Sequence, residues 1–449
     1  MKELKFYEYG GLQDSLRGEI TSISEFPLNT SEFQYLRSIS ESVVPGKKVF
    51  DISASSIRAT SMVGVISFGG VHIEILPKLL RSQNSDNSII KNLMFMLSYT
   101  NSMDISDSGI GSLGQNHDSF IEAYISTFAS RLSKHLIRFG SPKSYVEKSE
   151  NLNTVKGKIS FVKHSSVNYF DQSKVFCDYS DFTEDNPLSR ALKFVAQSLR
   201  HLSKNSNSLI ALDRCIGLLD GVKAEYVSGT DLDRCALSKR EPNFIALINL
   251  TKLFLKKLRP EFCGQKKNKV FTLLFDMNEL FEEFIFQILK RNESSFNVHV
   301  QAQKKKRLVN AEKDFLNGGV WNEKKNLFDT YTDISVTPKD GRRSFIIDTK
   351  YKLIHSGKSH YGISNQDAYQ ILAYRQIHRT ESSEPAIALL YPKYKEDLQK
   401  EFRVNGSENT FMAWTIDISI DLKSSMPLVI QNLEHLINKA TIHDEIKAA

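Results

Sequence analysis

Two aspartates and a lysine in the C-terminal third of the chain have the types and spacing of a metal-dependent hydrolytic site. Asp333 is followed, after a short polar stretch, by Asp348 and Lys350. The flanking segments are rich in β-branched and aromatic residues, and the pair Asp340-Gly341 between them is typical of a two-residue hairpin turn. That turn would place the two aspartates directly opposite each other, with Cβ atoms about 4.5–5.5 Å apart. Lys350 would point to the same face, because side chains alternate along a strand.

Facing carboxylates destabilise a sheet unless a cation lies between them. Mg²⁺ binds oxygen ligands, commonly one or two carboxylates together with waters and phosphate oxygens. Such an ion lowers the pKa of a bound water and offsets charge on a phosphodiester, and a nearby lysine can hold that water or stabilise the same charge. The pattern therefore predicts a Mg²⁺-dependent phosphodiesterase site. The alternative is an aspartate at a strand edge beside an ordinary surface pair of Asp348 and Lys350.

A helix with a wide apolar stripe is predicted before this hairpin. The stripe consists of large apolar residues at helical spacing: Met277, Leu280, Phe281, Phe284, Ile285, Ile288 and Leu289. Glu282 lies at the margin of the stripe, on the side of Asn278, whereas Glu283 points away. The glutamate at the margin is therefore a candidate to approach the hairpin.

Further elements complete a regular order of helices and strands. A strand near 296–301 precedes the hairpin, a helix near 365–375 follows it, and strands are expected near 385–391 and 413–418. The order is helix, three strands, helix and strand, with one strand to spare. Tyr369 and Tyr374 on the second helix are interpreted as core aromatics.

This order and these residues resemble the PD-(D/E)XK nuclease superfamily and, more narrowly, the McrC family of nuclease subunits in McrBC-type restriction systems. Residues 277–284 are similar to the family's "MnxLFExF" helix, 347–352 to its "DxKYK" strand and 367–374 to its "YQxLAY" helix. Residues 63–78 resemble an N-terminal "vGvi…l.IeIlPK" hairpin. Weaker similarities lie at 156–158 and 185–190. The proline of the superfamily's "PD" is replaced by Thr332, which leaves the metal ligands unchanged.

The resemblance implies a role for each candidate site residue. Asp333 and Asp348 would be metal ligands, and Lys350 would orient water or stabilise charge. Glu282 would support the site from the first helix, as a further ligand through water, unless it is a solvated helix flank. Gln370 would approach from the second helix, unless it is a surface or packing amide.

The composition is that of a folded protein with two or three domains. The chain has 449 residues, of which 41% are hydrophobic and 25% charged. No apolar run approaches the roughly 20 residues that cross a bilayer, and the first residues lack a signal-peptide core. Four cysteines without a CxxC pair indicate reduced thiols. A cytoplasmic protein without a membrane anchor is expected.

A multidomain α+β architecture with three segments is predicted. Residues 1–82 are β-rich, and by resemblance they form the part that docks on the partner, together with the next segment. Residues 83–265 are mainly helical. Residues 266–449 form the C-terminal α/β domain of the PD-(D/E)XK, or restriction-endonuclease-like, type.

The charge and the motifs bear on the partners. The net charge is +7 and the pI about 8.9, and basic runs at 266–269, 304–307, 324–325 and 342–343 surround the candidate site. They predict binding to the backbone of double-stranded DNA, although any single run is more often a solvated loop. No GxxxxGK[ST] loop occurs. The resemblance implies that GTP is bound instead by a McrB-like AAA+ GTPase hexamer, which this chain would stimulate and which would recognise the methylated base.

Three functions remain open from the sequence. The first is the endonuclease subunit of a GTP-driven complex that acts on 5-methylcytosine-containing DNA. The second is a non-catalytic adaptor that activates an AAA+ partner and keeps the nuclease fold as a scaffold. The third is a nuclease subunit of a methylation-independent restriction system.

Overall fold

The computed structural model describes residues 2–14, 18–78, 86–100, 119–170, 173–234, 242–259, 270–309, 312–313, 321–322, 327–379, 384–405 and 410–441. The chain divides into two compact units. The first combines Met1–Asn101 with Leu274–Ala449, and the second is Ser102–Leu273. The candidate site lies in the first unit.

The N-terminal part of the first unit is β-rich, as predicted. Its strands are β1 Lys2–Tyr7, β2 Leu12–Asp14, β3 Gly18–Ile20, β4 Phe50–Ile52, β5 Ile57–Ala59, β6 Met62–Phe68 and β7 Val71–Leu76, and its helices are α1 Thr30–Ser42 and α2 Asp86–Tyr99. β6 and β7 form a hairpin in which Phe68 pairs with Val71, so that Gly69 and Gly70 are the turn, both at positive φ. β1 lies parallel to β7 on the other side.

The C-terminal part of the first unit holds a mixed sheet. Its elements are α9 Met277–Arg291, β13 Val298–Val309, β14 Glu312–Lys313, β15 Trp321–Asn322, β16 Leu327–Pro338, β17 Phe345–Thr349, α10 Asn365–His378, β18 Ala386–Pro392, β19 Gln399–Arg403, β20 Thr410–Ile416 and α11 Leu422–Thr441. The sheet order is β13-β16-β17-β18-β20-β19. β17, β18 and β20 are parallel, and the other neighbours are antiparallel.

Burial in this sheet follows the sequence pattern. Every residue of β17 and β18 is buried, as in strands that are covered on both faces. All seven apolar residues of the predicted stripe on α9 are buried. The helix is capped by Asp276, whose side chain accepts a hydrogen bond from the amide of Asn278 at 2.8 Å. The predicted order of helix, three strands, helix and strand is confirmed for the main elements, whereas the short strands β14 and β15, the strand β19 and the helix α11 were not predicted.

The predicted division into three segments differs from the structure, because the N-terminal residues share a unit with the C-terminal ones. β6 is the neighbour of β12 (Val270–Asp276), the strand that leads into α9. The buried Asn92 amide of α2 donates to the carbonyls of Ile418 and Ile420 at 3.2 and 2.7 Å, and its oxygen accepts from the amide of Leu422. A buried amide left without these partners would be costly. Residues 1–82 therefore do not form a unit of their own.

The second unit is mainly helical but also contains a small sheet that was not predicted. Its helices are α3 Phe120–Phe139, α4 Phe161–Val167, α5 Pro187–Leu202, α6 Ser206–Leu218, α7 Gly229–Arg234 and α8 Pro242–Lys257, and its strands are β8 Ser144–Leu152, β9 Lys158–Ile159, β10 Val175–Thr183 and β11 Leu258–Arg259. The strands of this sheet, in the order β8-β10-β9, have few buried residues. The sequence therefore shows no apolar alternation that would predict them. Cys177 and Cys215 are buried free thiols; Cys235 and Cys263 lie outside the described residues.

Within the described ranges, no helix combines the length and the apolar character needed to cross a membrane.

Candidate active site

The hairpin that carries the aspartates has the predicted register. β16 and β17 pair antiparallel through Ile334 with Ile347 and Val336 with Phe345, so the next positions outward are Asp333 and Asp348. The two-residue turn was wrong, because β16 ends at Pro338 and β17 begins only at Phe345. The predicted register is therefore correct, although the connection between β16 and β17 is longer than the two-residue turn predicted from Asp340-Gly341.

Residues of this connection are bound to the segment before β18 and to each other. The Arg343 guanidinium donates to the carbonyls of Glu384 and Pro385 at 2.6 and 3.3 Å, and the amide of Ala386 donates to the carbonyl of Ser344 at 3.0 Å. These bonds connect Arg343 and Ser344, which precede β17, to the start of β18. Arg342 instead pairs with Asp340 at 2.8 Å.

Asp348 is a fully buried carboxylate at the end of β17. Lys350 forms an ion pair with it, with Nζ 2.6 Å from Oδ2. Apart from that ion pair, neither carboxylate oxygen of Asp348 has a hydrogen-bond partner in the part of the chain that the structure describes. Burial, and next the charge of Asp333, raise the pKa of Asp348 to about 6, against the opposing effect of the Lys350 ammonium. A buried carboxylate with so few partners is an unusual feature in a folded protein.

Asp333 is half-buried and is held in place by the adjacent strand. Its Oδ2 accepts hydrogen bonds from the backbone amide and the hydroxyl of Thr349, at 2.8 and 3.0 Å. Thr349 lies between Asp348 and Lys350, and its two bonds therefore fix the orientation of Asp333 relative to both.

Glu282 faces this pair from α9. The side chain is half-buried, and its Oε1 accepts a hydrogen bond from the Gln303 amide on β13. Burial, followed by the charge of Asp333, raises the pKa of Glu282 to about 7, with a smaller contribution from Asp348. The helix thus brings a third carboxylate within electrostatic reach of the hairpin.

Gln370 is bound to a tyrosine rather than to the carboxylates. Its Nε2 donates to the Tyr374 hydroxyl at 2.5 Å, which in turn donates to the carbonyl of Tyr331 at 2.7 Å, two residues before Asp333. Burial raises the pKa of Tyr374 well above its usual value, and the charges of Asp348 and Asp333 raise it further. Tyr374 is buried, as predicted, whereas Tyr369 is 69% exposed and is not a core aromatic.

Gln303 and Tyr374 contact the site and were not among the predicted site residues. The i,i+4 spacing of Gln370 and Tyr374 could have indicated the second, because such residues share a helix face. Nothing in the sequence singles out Gln303.

The donor set fits a hard divalent cation. No three His, Cys, Asp or Glu side chains in the described ranges form a closed metal cluster. Mg²⁺ needs fewer protein ligands, because water and phosphate oxygens complete its shell. Asp348, with its oxygens unpartnered except by an ammonium, and the facing Asp333 supply two carboxylates. Whether Glu282 contributes as a third ligand stays a prediction.

The basic runs around the site differ in their surroundings. Lys304 and Lys305 of β13 are exposed, and Lys305 pairs with Asp329 at 2.7 Å. Lys306 instead donates to the carbonyl of Ile377 at 3.1 Å. The runs at 266–269 and 324–325 lie outside the described residues.

The fold and site define a mixed α/β protein with an acidic pair on neighbouring strands and a lysine just after the second of them. The chain belongs to the family described as "McrBC 5-methylcytosine restriction system component", whose model matches residues 57–392.

Solved structures show a similar fold. The chain is similar over 98% of its length to all of a chain in a half-complex of Thermococcus gammatolerans McrB AAA+ hexamers with bound McrC, with a TM-score of 0.69 and 17% identity. A second similarity, to the McrBC complex of the same organism, has a TM-score of 0.45 and 19% identity over 65% of this chain and 88% of that one. A search of curated proteins gave no significant match.

Proposed function

We propose that this chain is the Mg²⁺-dependent DNA endonuclease subunit of a GTP-driven restriction complex that acts on 5-methylcytosine-containing DNA. The observation that carries the proposal is the buried Asp348, which has no partner but the Lys350 ammonium among the described residues and lies opposite Asp333. Membership in the McrBC family supports the biological setting.

Asp333 and Asp348 would hold the Mg²⁺, which when bound supplies a polarised water and offsets charge on the phosphodiester. Thr349 keeps Asp333 oriented through its two hydrogen bonds. The Lys350 ammonium, 2.6 Å from Asp348, lies within reach of any anionic group that approaches this carboxylate. Its role is to stabilise negative charge on the scissile phosphate. The fold is thus proposed to be of the PD-(D/E)XK type.

The partner proposed for this chain is a McrB-like AAA+ GTPase hexamer. The support is the similarity to a solved assembly that contains McrB AAA+ hexamers with bound McrC, together with the absence of a nucleotide-binding loop from this sequence. Double-stranded DNA is the proposed substrate, and the exposed Lys304 and Lys305 beside the site are suited to its phosphates.

The test uses the complete complex, because the chain alone can lack activity without its GTPase. Lys350→Ala and Asp348→Asn are each expected to lower cleavage of methylated DNA about 10³-fold, since the first removes a positive charge at the reacting phosphate and the second removes a proposed Mg²⁺ ligand. Stimulation of the partner's GTPase should stay at the wild-type level. Lys400→Ala, on the exposed edge strand β19, is the matched control and should cut normally.

Three outcomes contradict the proposal. If Lys350→Ala or Asp348→Asn still cuts at the wild-type rate, the site is misassigned. If the wild-type complex hydrolyses GTP faster but never cuts DNA, the chain is an adaptor. Equal cleavage of methylated and unmethylated DNA would instead assign it to a methylation-independent system.

A further inference from the structure

Gln303 has an unusual backbone conformation beside the candidate site. Five non-glycine residues in the described ranges have positive φ, and Gln303, at φ 49°, lies inside a strand whereas the other four lie in turns or a 3₁₀ helix. A left-handed conformation is costly for a residue with a Cβ and persists where the surroundings compensate for it. Inside a strand there is no turn to require it.

The register places this strained residue against the acidic pair. Ala302 pairs with Ile334 and Lys304 with Thr332, so Gln303 stands opposite Asp333. β16, which carries Asp333, has β17 as its other neighbour, and β17 carries Asp348. Gln303 is therefore aligned with both aspartates across three strands.

The side chain shows what compensates for the strain. The Gln303 amide donates to Oε1 of Glu282, which lies on α9 and not in the sheet. This carboxylate is half-buried among negative charges and gains an amide donor from the contact. A bond from the strand to the helix also limits the rotamers that Glu282 can adopt.

We propose that Gln303 is a positioning residue whose left-handed backbone directs its amide to Glu282 and holds that carboxylate toward Asp333. The inference rests on the proposed function, because a fixed third carboxylate matters when a cation and a phosphate occupy the site. Outer hydrogen bonds of this kind typically change metal affinity or activity about 10- to 100-fold when they are lost.

A glycine at position 303 distinguishes the effect of the backbone strain from the effect of the hydrogen bond to Glu282. Glycine adopts positive φ without a Cβ penalty, so Gln303→Gly relieves the strain while it removes the amide. A purely structural role predicts that stability and function change in the same direction. The positioning role predicts opposite directions: a melting temperature higher by about 1–2 °C, with Mg²⁺ affinity and cleavage lowered about tenfold.

The experiment uses the full chain for Mg²⁺ titration calorimetry and thermal unfolding, and the complex with its GTPase for cleavage. Gln303→Gly, Gln303→Ala and Glu282→Gln are compared with wild type. Gln301→Ala is the matched control: this exposed glutamine lies two residues earlier on β13, and it should behave as wild type. In a protein that already carries Glu282→Gln, adding Gln303→Ala should lower Mg²⁺ affinity and cleavage little further, because both residues act through one contact.

The two proposals fail in different ways. If wild type neither binds Mg²⁺ nor cuts, the proposed function is wrong. If wild type binds and cuts, and Asp348→Asn does neither, but Gln303→Gly and Gln303→Ala match wild type, the positioning role is overturned. A Gln303→Gly protein that loses stability and activity together also overturns it.

Discussion

The acidic residues of this chain are placed in two contrasting ways, in the candidate site and in the small sheet of the second unit. At the site, Asp348 is fully buried beside Asp333, and its pKa is raised. On β10, Asp181 lies between the ammonium groups of Lys148 and Lys156, at 2.8 and 3.1 Å, and its pKa is lowered by them. Asp178 likewise has a lowered pKa, first because Ser149 donates a hydrogen bond to it.

The contrast shows which acidic cluster indicates a ligand. The β10 carboxylates have cationic partners within the chain and need nothing further. The site brings negative charges together in a buried place with a single ammonium for Asp348, which costs folding free energy unless a cation is supplied. Charge count alone does not distinguish the two regions, whereas burial and partners do.

The largest expected difference concerns metal and pH at Asp348. Since the pKa values of Asp348 and Glu282 are raised to about 6 and about 7, the folded metal-free chain binds more protons than the unfolded chain between about pH 4 and 7. These groups therefore lower the stability as pH rises through that window. Mg²⁺ at about 100 times its Kd should restore about 2.7 kcal/mol, and more at pH 8 than at pH 5.5, because the ligands must be ionised.

The measurement is thermal unfolding with and without Mg²⁺ at both pH values. Asp348→Asn removes the buried charge, so without metal it should melt higher than wild type at pH 8, and added Mg²⁺ should have little effect. Two results would contradict a cation-dependent acidic cluster. One is a wild-type melting temperature that does not change when Mg²⁺ is added at pH 8. The other is an Asp348→Asn protein whose melting temperature changes with Mg²⁺ as much as that of wild type.

An intermediate effect is expected for Tyr374→Phe. The change removes the donor to the Tyr331 carbonyl and the acceptor of the Gln370 amide, next to the strand that carries Asp333. It should cost about 1 kcal/mol of unfolding free energy and lower cleavage about fivefold. Urea unfolding and the cleavage rate of the complex measure the two effects. Tyr369→Phe, at an exposed position on the same helix, should change neither.

The smallest effect is expected in the β10 cluster. Asp181→Asn loses two exposed ion pairs, so at pH 7 the melting temperature should fall by about 1 °C or less. Because the pKa of Asp181 is lowered, its contribution is present above its usual pKa and is lost as pH falls. The difference from wild type should therefore vanish once the pH falls below the lowered pKa of Asp181. If Asp181→Asn greatly lowered the melting temperature, or changed its dependence on Mg²⁺, the β10 cluster would no longer differ from the candidate site in the way described.

The parts of the site that depend on local periodicity could be predicted from the sequence. The position of the Asp340-Gly341 pair predicted the register that places Asp333 opposite Asp348, although the connection is longer than the predicted two-residue turn. Alternation along β16 and β17 predicted the face that each residue takes. The helical spacing of apolar residues likewise predicted the buried side of α9 and the position of Glu282 at its margin.

The rest depends on contacts that a local pattern does not contain. The positive φ of Gln303 is set by the strands and helix around it, and glutamine gives no sign of it. β8 has no buried residue and β10 has only Cys177 and Tyr179, so neither strand carries a clear apolar alternation. β6 pairs with β12, which is far from it in sequence, and such long-range pairing cannot be predicted from local periodicity.

The insertion of the second unit between the two halves of the first has a consequence for synthesis on the ribosome. The first 101 residues emerge well before β12 and before the carbonyls of Ile418 and Ile420 that bind Asn92. Residues 102–273, by contrast, form one continuous segment, so the whole second unit is synthesised before residues 274–449. Since domains generally fold as units during translation, the first unit, which contains the acidic pair, is the first to begin synthesis and the last to be completed.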